Sequence, residues 1–385
     1  MPNAVIVSAV RSAVGKAKKG SFINTRIDDM AAIVVKEAVA RVKGLDPAEI
    51  EDVIMGCAMP EGEQGMNVAK IVAFLAGLHL SVAGTTVNRF CGSSLQTINM
   101  AAQAIMAGCG DVQVAAGCEH MTHVPMGGFS PSFNPKFTTG DYPEAYIPMG
   151  MTAENLAEKY SIGRQAQDEY AAWSHEKASK AIEQGLFKKE IVPIEVEIEG
   201  QKKIVTIDET VRPGTTAEKL STLQPVFKEG GSVTAGNSSP LNDAAAACVL
   251  MSEERAKALG ISPYFRIKAM AVAGCDPALM GIGPVPAVQK VLKRAAMTFK
   301  DIDVIELNEA FAVQNLAVIQ EGGWPKEKIN PRGGGVSIGH PLGATGARIM
   351  ATLVHEMIDN NWTIGLETMC IGGGQGIATI IERVR

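Results

Sequence analysis

The chain has 385 residues, 46% of them hydrophobic and 20% charged, with a formal net charge of -5. That length exceeds what a single core usually organises and points to two or three domains. The mildly acidic balance, with no basic tail, gives nucleic-acid binding no electrostatic support, and no stretch approaches the roughly 18 apolar residues that a membrane helix needs.

The opening stretch, MPNAVIVSAVRSAVGKAKKGSF, is too polar for a signal peptide and reads as a first strand followed by a basic loop. An apolar-periodic helix follows from Met30, then a strand-like IEDVI at residues 50–54. VNRFCGSSLQTINMAAQAIMAG places Cys91 after a short apolar run and before a helix. Ser93 and Gln96 fit a capping box, so that helix is expected to start near Ser94 and to stop near Gly108. A thiol at such a helix start feels the positive end of the dipole, which favours thiolate. Gly92 leaves its approach open. The motif alone suits a buried structural cysteine equally well. The run CEHMTH at residues 118–123 carries two histidines, but no second ligand pair supports it, so no metal is expected.

From about residue 121 to 235 the pattern changes. A Pro-, Gly- and Phe-rich segment, VPMGGFSPSFNPKFTTGDYPEAY, precedes a helical region over residues 152–185. This stretch reads as an insertion on the first half, of the kind that forms covers or binding loops. The earlier order then returns, as a helix from Pro286 and IDVI at residues 302–305. Asp52 and Asp303 lie 251 residues apart; the same offset carries Cys91 into GHPLGATG and Val112 to the start of TIGLET. Both halves read as strand, helix, strand, small-residue loop, helix, strand, which predicts a duplicated α/β design with layered, mostly parallel sheets.

The second half supplies the remaining candidates. Asn308 and Glu309 follow an apolar strand and either project into a site or, for Asn308, cap the next helix. His340 stands among glycines on a loop, with Pro341 suited to a first helical turn. His79, His175 and His355 have no such setting. Cys370 ends an apolar strand and opens onto Gly372, Gly373 and Gly374, which let a backbone approach a ligand or simply make a hairpin turn. The run fits neither a phosphate loop nor a dinucleotide fingerprint. Seven scattered cysteines without a CxxC pair favour reduced thiols in the cytoplasm.

In order, NRFCGSS, NEAFA, GHPLGATGAR and CIGGGQG closely resemble the thiolase family, and the resemblance extends through VTAGNSSPLNDAAAA and MGIGPVPA along nearly the whole chain. It implies two βαβαβαββ halves in five layers (α-β-α-β-α) with an inserted loop domain. The halves would be residues 1–120, completed by about 236–262, and residues 263–385, with the loop domain at 121–235. It implies Cys91 as nucleophile, His340 as general base and Cys370 as the group exchanging a proton with the acetyl α-carbon. Asn308, through a water, and His340 would bind one thioester oxygen, and the N–H groups of Cys91 and Gly372 the other. Coenzyme A (CoA), a substrate here and not a cofactor, would contact Arg212, Ala235, Ser239, Met149, Met280, Ala310 and Phe311. No metal or organic cofactor is implied. The expected reaction is reversible transfer of an acyl group between 3-ketoacyl-CoA and CoA, as in fatty-acid β-oxidation. Acetyl-CoA acetyltransferase chemistry is the alternative, and a silent acyl-CoA-binding relative ranks below both. The stretch EHMTHVPM and the short insertion after it resemble the degradative members, and Pro148, Met149 and Gly150 stand where many acetoacetyl-type members carry His-Met-Gly, which weakens an acetoacetyl-specific assignment. The family is usually a homodimer or homotetramer, and some degradative members bind a β-oxidation partner enzyme.

Overall fold

The computed structural model describes residues 2–139, 143–262 and 264–384, so residues 140–142 of the Pro- and Phe-rich segment lie outside it. The first half runs β1 (Ala4–Arg11), β2 (Gly15–Lys16), α1 (Ile27–Ala40), β3 (Ile50–Gly56), α2 (Val68–Leu75), β4 (Ala83–Val87), α3 (Ser93–Met106) and β5 (Val112–His120). Next come α4 (Lys136–Thr139), α5 (Met149–Lys159), α6 (Arg164–Glu183), the hairpin β6 (Ile194–Ile198) and β7 (Gln201–Val205), and α7 (Ala217–Ser221), none of which joins the main sheet. β8 (Asn242–Ser252) returns to that sheet and leads to α8 (Glu253–Ala258). The second half is β9 (Tyr264–Gly274), α9 (Pro284–Ala295), β10 (Val304–Leu307), α10 (Ala312–Gly322), α11 (Thr345–Asp359), β11 (Ile364–Ile371) and β12 (Gln375–Val384).

The duplication is real and its offset is close to the expected one. α3 and α11 start 252 residues apart, at Ser93 and Thr345, as do β5 and β11 at Val112 and Ile364. Among the described residues ten strands form one sheet, but β1 and β9 share only the pairs Val5–Arg266 and Ile6–Phe265, so two half-sheets meet at a narrow seam. Three apolar clusters fill the spaces between layers. One packs α1 and α2 on the first half-sheet, one sets α3 and α11 between the half-sheets, and one packs α9 and α10 on the second. This is the α-β-α-β-α order. α9 buries Val285, Val288, Val291 and Leu292 at helical spacing, as an outer helix should. α11 is buried nearly all round, as a central helix must be. It lies so close to α3 that a Cβ on Gly346 would sit 2.2 Å from the Leu95 nitrogen.

Two expectations are corrected. The sheet is not mostly parallel: β3–β4, β3–β5 and β10–β11 are parallel, whereas β8 and β12 pair antiparallel with both neighbours. Each half ends with a strand that doubles back, and alternation of helices and strands does not reveal such a return. The helical region over residues 152–185 is two helices, broken where Ser161 takes a φ of 53°.

One strand of the second half is reduced to a stub. Its partner in the first half is the edge strand β4, but here only Ile329 bridges to Ile305. Asn330 completes the edge with its side chain, accepting from the Leu307 N–H and donating to the Leu307 carbonyl, both at 2.8 Å.

Candidate active site

Cys91 sits on the tight turn between β4 and α3. Asn88 accepts the Phe90 N–H at 2.8 Å and ties itself to the Ala58 carbonyl at 3.0 Å. Phe90 is forced to a φ of 44°, a left-handed conformation that costs a non-glycine residue roughly 1–2 kcal/mol. The Ser93 hydroxyl accepts from the Arg89 N–H at 2.9 Å and donates to the Phe90 carbonyl at 2.6 Å. It is therefore occupied with holding the turn, and the expected capping box does not form. α3 starts at Ser93 with Gly92 as an uncapped N-terminus.

The glycine turn from the other half packs against this one. β11 and β12 form a hairpin closed by Ile371 and Gln375. Gly374 has a φ of 79°, and a Cβ there would lie 2.3 Å from the Cys275 carbonyl. A Cβ on Gly92 would meet Ile371 at 2.6 Å. Arg89 donates to the Gln375 carbonyl oxygen Oε1 at 3.1 Å, and Gln375 donates to the Gly372 carbonyl at 3.3 Å. The backbone N–H groups of Gly372 and of Cys91 itself favour the ionised form of the Cys91 sulfur.

These donors do not make a thiolate. Burial pushes the Cys91 thiol up to about 11, and the two N–H groups offset only part of that. The expectation of a thiol acidified by the helix start is corrected: loss of water outweighs the dipole. Cys370, fully buried at the end of β11, is raised well above the ordinary range by burial, with Cys91 and Cys275 adding to it.

His340 is held from three sides. Gly339 takes a φ of 119° where a Cβ would collide with Asn242 at 2.6 Å, and Asn242 accepts the His340 N–H at 2.8 Å. Ring Nδ1 lies 2.7 Å from the Thr345 hydroxyl. With Nδ1–H donating to Thr345, Nε2 is left with the lone pair a base needs; this tautomer is assigned from the geometry. Burial and then Arg348 lower the imidazole to about 3, so it is neutral at neutral pH. The Asn308 amide nitrogen is 3.4 Å from both ring nitrogens, which is proximity and not a directed bond. Asn308 Oδ1 is buried without a hydrogen-bond partner among the described residues.

Asn308 does not cap a helix, because α10 begins only at Ala312 with Phe311 as its N-cap. Glu309 turns away from the site. Its carboxylate accepts from Tyr170, Ser174, Asn330 and the Val336 N–H, tying α6 to the loop before His340.

Glu119 and Thr345 went unnoticed in the sequence. Glu119 is buried at the end of β5 and accepts from the N–H groups of Ala58, Met59 and Gly343 and from Gln64. It thereby fastens the loop after His340 to the other half beside Cys91. Glu119→Gln puts an NH2 group where N–H groups already donate. We expect it to cost about 1–3 kcal/mol of stability and to lower kcat/KM for thiolysis, read by denaturant midpoint and by initial rates. Unchanged values of both would reject this bracing role.

Met149, Met280, Ala310, Phe311 and Cys370 share one apolar cluster. The Ser239 N–H donates to the Ala310 carbonyl at 2.9 Å, and Ser238 bridges to Phe311, which brings the loop holding Ala235 alongside. Arg212 lies apart from that cluster: its N–H donates to His175 Nδ1 on α6 at 3.2 Å. Among the described residues no helix is long and apolar enough to cross a membrane.

Two duplicated α/β halves that meet on a buried thiol, a neutral imidazole and a second buried thiol define an enzyme built for sulfur-based acyl transfer. Residues 4–254 match the thiolase N-terminal domain and residues 261–383 the thiolase C-terminal domain. The chain is 49% identical to the 3-ketoacyl-CoA thiolase of Aeromonas hydrophila subsp. hydrophila over 389 residues, covering 100% of each. It is 48% identical to the 3-ketoacyl-CoA thiolase of Bacillus subtilis, covering 99% of this chain and 100% of that one. The crystal structure of the Bacillus anthracis acetyl-CoA acetyltransferase matches with a TM-score of 0.92 at 42% identity, over 100% of this chain and 99% of the other. The chain belongs to the thiolase family. It is an acyltransferase that carries out thiolytic acyl transfer.

Proposed function

We propose that the chain cleaves 3-ketoacyl-CoA with CoA through a thioester on Cys91. The observation that carries this reading is the glycine turn packed against Cys91, where a Cβ on Gly92 would lie 2.6 Å from Ile371, with the N–H groups of Cys91 and Gly372 favouring the ionised sulfur. In a thioester on that sulfur the same pair lies beside the carbonyl oxygen, where negative charge develops. His340 takes the Cys91 proton as sulfur attacks the keto carbon. The bond between C2 and C3 breaks, and its electrons form an acetyl-CoA enolate. His340, now protonated, and Asn308 through a water meet the enolate oxygen. Cys370 gives its proton to C2, and acetyl-CoA departs. CoA then gives its thiol proton to Cys370 and attacks the thioester. Cys91 leaves and recovers its proton from His340. Each group ends as it began.

The relatives named 3-ketoacyl-CoA thiolases and the Pro148–Met149–Gly150 stretch favour substrates longer than four carbons. Met149 reaches the glycine turn, its sulfur 3.4 Å from where a Cβ on Gly372 would be. A panel of 3-ketoacyl-CoA lengths in the thiolysis direction is expected to show activity beyond acetoacetyl-CoA. Activity confined to the four-carbon substrate would favour acetyl-CoA acetyltransferase instead. CoA would lie along Ser239, Ala235, Met280, Ala310 and Phe311, with Arg212 further out. The division into halves at 1–120 with 236–262 and at 263–385, around a loop domain at 121–235, belongs to the same reading. So does a cytoplasmic location, favoured by seven unpaired cysteines.

Self-association is part of the proposal. β4 is an edge strand, and beside it Met66, Ile71, Phe74, Leu75 and Leu80 are exposed. An open edge with an apolar flank suits pairing with a second copy. Size-exclusion chromatography with light scattering is expected to give at least twice the chain mass of 40.6 kDa; a monomer at micromolar concentration would reject it. A β-oxidation partner enzyme remains a further proposal of the same reading.

A further inference from the structure

We infer that Glu63, His120 and His123 form a binding site for one divalent metal ion of the zinc class. One ligand atom from each lies within 4.8 Å of the other two. The two histidines belong to the CEHMTH run, which lacked a further ligand in sequence. The fold supplies one from the loop before α2, 57 residues ahead of His120.

The tautomers carry the argument. His120 Nδ1 accepts the His123 backbone N–H at 3.2 Å, so its proton is on Nε2, which lies 3.2 Å from the Phe22 carbonyl. His123 Nε2 lies 2.8 Å from the Ile23 carbonyl, so it too donates from Nε2. Two consecutive backbone carbonyls thus orient both rings, as outer partners orient metal-binding histidines. The rings stack with centroids 4.0 Å apart and planes at 25°, and one nitrogen of each lies within 4.8 Å of a Glu63 oxygen. Glu63 Oε1 is 3.1 Å from His123 Nδ1. Two ligands about 2.0–2.1 Å from a tetrahedral ion are separated by about 3.3 Å, so this pair is already near bonding geometry.

The carboxylate is itself held. Glu63 Oε1 accepts the Ile27 N–H at 2.9 Å, and Arg26 lies 3.8 Å from Oε2. A second carboxylate, Asp243, stands 3.6 Å from His120 Nδ1 and is fixed by the Thr122 N–H at 2.9 Å and by the Thr122 hydroxyl. Two imidazoles and one carboxylate select zinc-like ions over the oxygen-seeking calcium and magnesium. The His123 side chain is 34% exposed, so water can reach the ion and fill the fourth position. The ion would sit between His123 Nδ1 and Glu63 Oε1 and displace the long bond from the His123 N–H to His120. Gln64, next to Glu63, accepts the His120 N–H at 2.9 Å and donates to Glu119 at 2.7 Å. An ion here braces the strand end that carries Glu119.

The test uses the full-length chain, stripped with EDTA and dialysed against zinc chloride. Uptake of one zinc per chain is expected, with His123→Gln and Glu63→Gln each weakening it more than about 100-fold, the upper end of what losing an outer partner alone costs. Circular dichroism establishes that both variants are folded. Cobalt(II) added to the wild type is expected to give visible d–d bands without the near-ultraviolet charge-transfer band of thiolate ligation. No stoichiometric uptake overturns the inference, and so does zinc retained undiminished in both variants, which assigns it to cysteines. Neither outcome depends on the role of Cys91, since no step of the assay is catalytic.

Discussion

Cys91→Ser is expected to lower the thiolysis rate at least about 10⁴-fold, as losing a covalent nucleophile generally does. Serine nearly keeps the size of the side chain, so the fold should survive. Its oxygen is a poorer nucleophile toward a ketone, and a hydroxyl gives up its proton to His340 less readily than a thiol does. The companion measurement is intact mass after incubation with acetyl-CoA. One acetyl group is expected on the wild type and none on the variant. Undiminished thiolysis in the serine variant, or an acetyl group elsewhere in the wild type, would sink the mechanism. Binding of CoA with no adduct on the wild type would favour a silent relative.

His340→Asn is expected to lower kcat/KM by about 10²–10⁴, the usual worth of a positioned acid–base group. The pH dependence is worked out from the two shifts. The Cys91 thiol is raised to about 11, so the free enzyme holds it protonated through neutral pH. The imidazole is lowered to about 3, so it stays a free base down to that pH. Alkylation of Cys91 by iodoacetamide without substrate should therefore rise about tenfold per pH unit past the ordinary thiol value of about 8.5. It should level only near 11. His340 should add no acid limb to kcat/KM above about pH 4, given a free-base form that persists well below it. Levelling of the alkylation rate near pH 8 would show a thiol already activated at rest and would make His340 less important.

Much of the fold and the placing of the candidate site were legible in the sequence, for physical reasons. Cys91, His340 and Cys370 each stand where a strand or loop of small residues meets a buried element, and such places admit few side chains. The duplicated halves were legible because both repeat the same apolar spacing at nearly one offset. Other features depend on long-range contacts that spacing does not encode. β8 joins β5 only after more than a hundred intervening residues, so its antiparallel return was not foreseen. Glu119 looked like one more polar residue beside a histidine, yet it receives donors from three distant segments. Ser93 and Asn308 both fit helix-cap rules, and both failed them. A hydroxyl in a tight turn finds nearer partners, and a helix that starts four residues later leaves Asn308 free. Burial reversed the expected acidity of Cys91, and burial is a property of the whole molecule.

The stub at Ile329 and the side chain of Asn330 bear on how copies can add to one another. Gene-level doubling of a sheet unit tends to yield two like margins, and a molecule adhesive at both margins can be extended without limit into a fibre. Here one margin is closed off by a short segment and an amide that imitates a neighbouring backbone. A single adhesive margin is used up by its first encounter with another copy. With β4 as the proposed pairing margin, growth along that direction would stop at two, and broken symmetry within the chain would become a limit on assembly outside it.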